Sequence, residues 1–109
     1  MSPEIFTLLD KEMTMARTAI SEKNDGKARV CARRAIVILM QHTDATEQSE
    51  WNSRLALEHL TKTDEFPNEV VNAAKRLQGG LRAQLLGEEY SENPIEDAEI
   101  IIRYFVDLP

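Results

Sequence analysis

Residues 27–42 read KARVCARRAIVILMQH, and the way this stretch packs decides the fold. At about 100° per residue, Ala28, Cys31, Ala32, Ala35, Ile38, Leu39 and His42 share one arc of a helix. Ile36 and Met40 flank that arc, and Val30 and Val37 lie roughly opposite. A helix apolar nearly all round is covered by neighbours on several sides. Ala28, Ala32 and Ala35 leave room for another helix to approach closely. The stretch therefore predicts the central helix of an all-α domain.

Upstream, Ser2, Pro3 and Glu4 supply an N-cap, a proline at the first helical position and an acid in the first turn. Ile5, Leu8, Leu9, Met13, Ala16, Ala19 and Ile20 then make one broad stripe, interrupted by Glu12. Asn24, Asp25 and Gly26 signal a turn, so the first helix ends near Glu22 and forms an antiparallel hairpin with the central one. That hairpin brings Glu12 within about a turn of Arg33 and Arg34, which predicts a partly buried ion pair.

Downstream, residues 43–49 read as a loop leading into a short helix over 48–61. Trp51 and Leu55 lie on one side of it, and Ala56, Leu57 and Leu60 on another, as in a helix laid across an end of a bundle. Residues 64–67, DEFP, break it, and Pro67 opens the next helix. Val70, Ala74, Leu77, Leu81 and Leu85 keep one stripe through Gly79 and Gly80. Mid-helix glycines cost roughly 1 kcal/mol each, yet the unbroken register predicts a single helix over 67–86. Gly87 is a C-terminal stop, residues 88–92 form an acidic loop, and Asn93 and Pro94 start the last helix. Glu96 and Asp97 suit its positive end. Ile95, Ala98, Ile101, Ile102, Phe105 and Val106 form its core stripe. Ile100 and Tyr104 point elsewhere, toward the short helix or a second subunit. The expected architecture is an up-and-down bundle of four to five helices in a single domain, residues 1–109.

Bulk properties narrow the function. Four glycines and four prolines in 109 residues argue against a turn-rich β fold. The net charge of −6 is uneven: residues 1–45 carry seven bases and six acids, residues 46–109 six bases and thirteen acids. An acidic chain has no general attraction for phosphate backbones, which disfavours nucleic acid as a partner. The single cysteine, Cys31, cannot form an intramolecular disulfide and suits a reducing compartment. No signal-peptide pattern is present, and no stretch approaches the roughly 18 apolar residues of a spanning helix. The expected location is the cytoplasm, with no membrane contact.

The catalytic inventory is thin. There is no phosphate loop, dinucleotide-binding glycine pattern or nucleophile elbow. One cysteine and two histidines are too few for a structural zinc site, and no Glu-x-x-His pair occurs, so neither metal nor cofactor is expected. Lys27, Arg29 and Arg33 are the candidate phosphate-contacting residues, with Lys27 placed at a helix start where backbone amides attract anions. Arg34 lies further round the helix. The alternative for these cations is charge balance with the acids of neighbouring helices, which the excess of acids favours. His42 reads as a hydrogen-bonded residue or an end cap favoured by the helix dipole. Trp51 and Phe105 read as core.

The segment MARTAISEKNDGKARVCARRAIVIL, residues 15–39, resembles the opening helical pair of HEPN domains (higher-eukaryote and prokaryote nucleotide-binding). Ala16, Ala19, Gly26, Ala28, Ala32 and Ala35 carry the likeness, over about residues 5–42. It implies a helical bundle that commonly dimerises. Many HEPN domains are ribonucleases with an arginine, four to six residues, then a histidine, and Arg54 and His59 in RLALEH match that spacing. By this resemblance His59 acts as general acid/base and Arg54 stabilises the phosphorane charge.

Two functions are thus expected, in this order. The first is a noncatalytic bundle acting through protein contacts, pairing as a homodimer through Ile100 and Tyr104, with no catalytic residue. The second is a HEPN-type nucleotide or RNA site using the basic hairpin with Arg54 and His59. An antitoxin-like or regulatory partner that masks a basic enzyme is a third.

Overall fold

The computed structural model describes residues 3–43, 50–63 and 65–107. Ser2 and the first residues of the expected 48–61 helix lie outside them. Helix α1 (Pro3–Ser21) and helix α2 (Asp25–Thr43) form the expected hairpin, the most extensive helix–helix contact of the fold. The chain reverses between them in two steps. The Ala19 carbonyl accepts the Asn24 N–H at 2.7 Å and the Ile20 carbonyl accepts the Lys23 N–H at 3.0 Å, with Lys23 left-handed at φ 59°. This double closure satisfies carbonyls that the end of α1 otherwise leaves unpaired. Asn24 then caps α2, its Oδ1 accepting the Lys27 N–H at 3.1 Å. The tight conformation thus falls on Lys23, one residue before the Asn-Asp-Gly signal, and Gly26 lies inside α2.

Helix α2 is the centre of the fold, packed against α1, α3 (Ser53–Lys62) and α6 (Pro94–Val106). Ala28, Cys31, Ala32, Ala35, Ile36, Leu39 and Met40 are buried. The covered arc is rotated from the expected one toward Ile36 and Met40, and Ile38 is half-buried. His42 is exposed along with Gln41, because the last turn of α2 runs past the covering helices. Helix α1 buries Ile5, Leu9, Met13, Ala16 and Ala19. Leu8 and Ile20, at the edges of its stripe, stay exposed.

Asn52 caps α3, its Oδ1 accepting the Leu55 N–H at 2.9 Å, so the helix starts later than its sequence pattern suggests. Ala56, Leu57 and Leu60 are buried between α2 and α4 (Asn68–Gln78). Trp51 precedes the helix and is half-buried, as is Leu55.

The single helix expected over 67–86 is broken. Helix α4 ends at Gln78, and α5 (Leu81–Leu85) is one short turn beyond Gly79 and Gly80. Gly79 is extended (φ −75°, ψ 134°), and a Cβ placed on it meets the Glu89 carbonyl oxygen at 2.3 Å. The returning chain therefore lies flush against the glycine, a close approach only glycine permits. Leu85, which continues the stripe in sequence, is 76% exposed. At the end of α5, Gly87 is left-handed (φ 71°); its N–H bonds Gln84 O at 3.2 Å and that of Glu88 bonds Ala83 O at 2.8 Å. The stop read from Gly87 holds.

Asn93 and Pro94 start α6 as expected, Asn93 Oδ1 accepting the Glu96 N–H at 3.1 Å. Pro94, Asp97, Ala98 and Ile101 are buried, Ile95, Ile102 and Phe105 are half-buried, and Val106 is exposed. Helix α6 packs on α2 and α4 and touches α1, closing an all-α bundle that comprises, among the described residues, five principal helices and the short α5. No helix among the described residues is long and apolar enough to cross a membrane.

Candidate functional site

Two arginines of α2 reach across the bundle to the segment linking α4 and α6. Arg29 Nη2 donates to the Ser91 carbonyl. Arg33 Nε donates to Leu77 O at 2.8 Å, and its Nη2 to Gly79 O at 3.1 Å. These carbonyls sit where α4 breaks and lack intrahelical partners, so a planar fork of N–H donors suits them. Burial, and then the neighbouring Arg29 charge, push the Arg33 guanidinium below its ordinary pKa.

Behind Arg29 lies a second cluster. Asp97 Oδ1 accepts Arg76 Nε at 3.0 Å and Nη2 at 2.7 Å, while Oδ2 accepts the Ser91 hydroxyl at 2.5 Å. Asp97 and Ser91 are buried. The hydrogen bond to Asp97 holds the Arg76 guanidinium above its ordinary pKa. The sequence marks Asp97 as an acid at a helix start, and the structure gives it this further role. Arg29, Ser91, Asp97 and Arg76 form one polar chain from α2 through the loop to α6 and α4. Arg29 Nε is buried without a hydrogen-bond partner. The cluster's hydrogen bonds tie α2, the loop before α6, α6 and α4 to one another.

The residues singled out in the sequence divide accordingly. Of the phosphate candidates, Arg29 and Arg33 are turned to backbone carbonyls, and Lys27 is exposed at the start of α2. Glu12 does not pair with either expected arginine. It lies beside Cys31, one carboxylate oxygen buried without a hydrogen-bond partner, because Arg33 is engaged at α4 and Arg34 is exposed. Burial first, and then the Glu12 charge, push the Cys31 thiol pKa up.

Arg54 and His59 serve different neighbourhoods. Arg54 is exposed and pairs with Glu58 at 3.3 Å. The His59 ring stands edge-on between Trp51 and Phe66, at centroid distances of 5.6 and 5.8 Å. Five residues apart on α3, the two side chains leave the helix about 140° apart. Arg33 and Arg54 do border a common cleft of about 390 Å³ with Ser53, Leu57, Glu58 and Gln78.

Ile100 and Tyr104 are half-buried and packed against the core. They line a shallow cleft of about 410 Å³ with Glu69, Arg103 and Asp107. Tyr104 is held edge-on by Phe66 and Phe105, at 5.8 and 5.2 Å. Arg103 bonds Glu99 at 3.1 Å, and Glu99 also takes Arg17 of α1 at 3.0 Å. Among the described residues no group of three His, Cys, Asp or Glu is placed to hold a metal ion.

No family model, curated protein or solved structure matches the chain. Sequence reasoning missed the Arg29–Ser91–Asp97–Arg76 cluster. Asn93-Pro94 marks the helix that carries Asp97, but nothing in the sequence marks Ser91 as buried.

Proposed function

We propose that this chain is a noncatalytic helical-bundle protein of the cytoplasm that works through protein contacts and pairs with a second copy of itself. The observation that carries the reading is the α6 cleft, where Ile100 and Tyr104 are set beside one base, Arg103, and two acids, Glu69 and Asp107. A two-fold pairing places the same patch against itself, so a patch with both charge signs round an apolar centre is self-complementary. The arrangement of the arginines supports a noncatalytic role, since Arg29, Arg33 and Arg76 are engaged in internal hydrogen bonds. Sedimentation across a wide concentration range tests the pairing. Ile100→Asp and Arg103→Glu should each weaken it, and the Arg103 variant, altered at an exposed side chain, leaves the core intact.

The HEPN-type reading keeps one supporting observation, the cleft shared by Arg33 and Arg54. It requires cleavage of single-stranded RNA that is lost in His59→Ala, and cleavage that survives this change removes His59 from the mechanism.

A further inference from the structure

Residues 79–90 leave the bundle and return to it. Gly79 lies against the Glu89 carbonyl and the Tyr90 Cα, so the ends of the excursion touch. Arg33 grips the outgoing end through Leu77 O and Gly79 O, Arg29 grips Ser91 just after the return, and Gly87 sets the left-handed turn between them. Compact loops with closed ends are frequently functional. Among the described residues, this one presents the most exposed leucines, Leu85 at 76% and Leu86 at 59%. Beside them are Glu88, Glu89 and Glu92, all exposed and none in an ion pair among the described residues, with Lys75 and Arg82 bordering the same cleft and Glu89 near enough to Arg76 to help raise its pKa.

A surface complementary to this loop exists on α2. Val30 is 44% exposed, with Lys27 three residues before it and Arg34 four residues after it, both exposed on the same helical face. Neither cation makes an ion pair among the described residues. Lys27 and Arg34 lie about 140–160° round α2 from Arg29 and about 100–120° from Arg33, while Val30 lies about 60° from Arg33, so the face adjoins the side of α2 that holds the chain's own loop.

We infer that the leucine tip of residues 79–90 docks on the Lys27–Val30–Arg34 face of a second copy, with Glu88, Glu89 and Glu92 against Lys27 and Arg34. The contact joins an acidic loop to a basic face, so it closes at two where both copies make it reciprocally and extends from copy to copy where they do not. It goes beyond the proposed α6 pairing and stands independently of it. A ridge of two leucines rimmed by like charges gives a contact that is apolar at its centre and sensitive to salt at its edge.

Charge reversal with complementation tests this. Sedimentation is run on the wild type, on Lys27→Glu/Arg34→Glu, on Glu88→Lys/Glu89→Lys, and on an equimolar mixture of the two variants, at about 50 mM and 500 mM salt. All substitutions are at exposed positions, and unfolding midpoints check that each variant keeps its fold. The inference predicts that the wild type associates through this contact at low salt and that each variant loses at least tenfold in association. Leu85→Ser/Leu86→Ser loses association at low salt. The mixture regains association that neither variant shows alone, because the variants keep opposite intact surfaces. Unchanged association in both charge variants overturns the inference, as does a wild type that stays monomeric at low salt, or a mixture that regains nothing. The α6 pairing reports separately, since it responds to Arg103→Glu and not to these changes.

Discussion

Arg33 of α2 donates to Gly79 O at 3.1 Å, across the interval where α4 ends and the chain turns out of the bundle. Together with its bond to Leu77 O at 2.8 Å, this makes one side chain the terminal cap of a helix it does not belong to. Helix-end carbonyls inside a protein need donors, and here the donors come from the central helix.

Replacing Arg33 should therefore loosen residues 79–90 before it loosens the core. Arg33→Leu leaves two carbonyls without their charged donor, at a cost of about 1.5–3 kcal/mol. Amide exchange resolved by residue checks this: protection in 79–90 should fall further than in α1 and α2. Equal loss everywhere contradicts a local cap.

The two adjacent glycines should respond in opposite ways. Gly79→Ala drives a Cβ into the Glu89 carbonyl oxygen, and moving backbone to relieve it costs about 1–3 kcal/mol. A Cβ on Gly80 meets nothing nearer than Arg33 Nη2 at 3.6 Å, an ordinary contact, so Gly80→Ala should lie within about 0.5 kcal/mol of wild type. Denaturant midpoints of the two variants decide it.

These positions show where the sequence runs out. The hydrophobic register from Leu77 to Leu81 and Leu85 is continuous, and local pattern alone favours one helix. What ends it is tertiary: the backbone of Glu89 against Gly79 and the fork of Arg33, groups distant in the chain. Long cationic side chains are ambiguous in the same way. Arg29 and Arg33 have the spacing of an exposed basic stripe, yet their length lets them cross the helix surface and bind carbonyls within the bundle. Signals whose physics is local agree with the structure, among them Asn93 and Pro94 at the start of α6 and the left-handed Gly87 after α5, and the α1 stripe agrees at Ile5, Leu9, Met13, Ala16 and Ala19 but not at its edges, Leu8 and Ile20. Of the candidate site, Ile100 and Tyr104 are legible as positions set apart from the α6 stripe, and the divergence of Arg54 from His59 follows from their spacing, whereas the ring contacts of His59 with Trp51 and Phe66 do not.

Removing Asp97 should be the most damaging polar change. Asp97→Ala strips Arg76 and the Ser91 hydroxyl of their acceptor. The expected loss is about 3 kcal/mol, at the low end for a buried pair because the Arg76 side chain keeps 33% of its exposure. Ser91→Ala removes one neutral donor and should cost about 1 kcal/mol. Urea unfolding of both variants gives the ranking.

Lys23 holds a left-handed conformation that L side chains adopt at a cost of roughly 1–2 kcal/mol. Lys23→Gly should stabilise the hairpin by about 1 kcal/mol, less any gain in unfolded-chain entropy. Thermal unfolding reads this as a raised midpoint.

Alkaline pH should weaken the fold through Cys31. Its thiol pKa is raised in the folded state, so the folded protein holds the proton more tightly than the unfolded chain. That stability is fully present below the unfolded thiol pKa, about 8.5, and is lost as pH rises through the higher folded value. Cys31→Ala should flatten this alkaline slope even though it leaves a small void. Unfolding free energies across that pH window, wild type against variant, provide the check.

The most direct measurement of the central claim is sedimentation equilibrium of the wild type beside Arg103→Glu at high salt, where the loop contact is screened. The account predicts a wild-type dimer and a variant shifted strongly toward monomer that keeps its helical content. A wild type that remains monomeric throughout the concentration range, or a variant that pairs as well as the wild type, contradicts pairing through the α6 face.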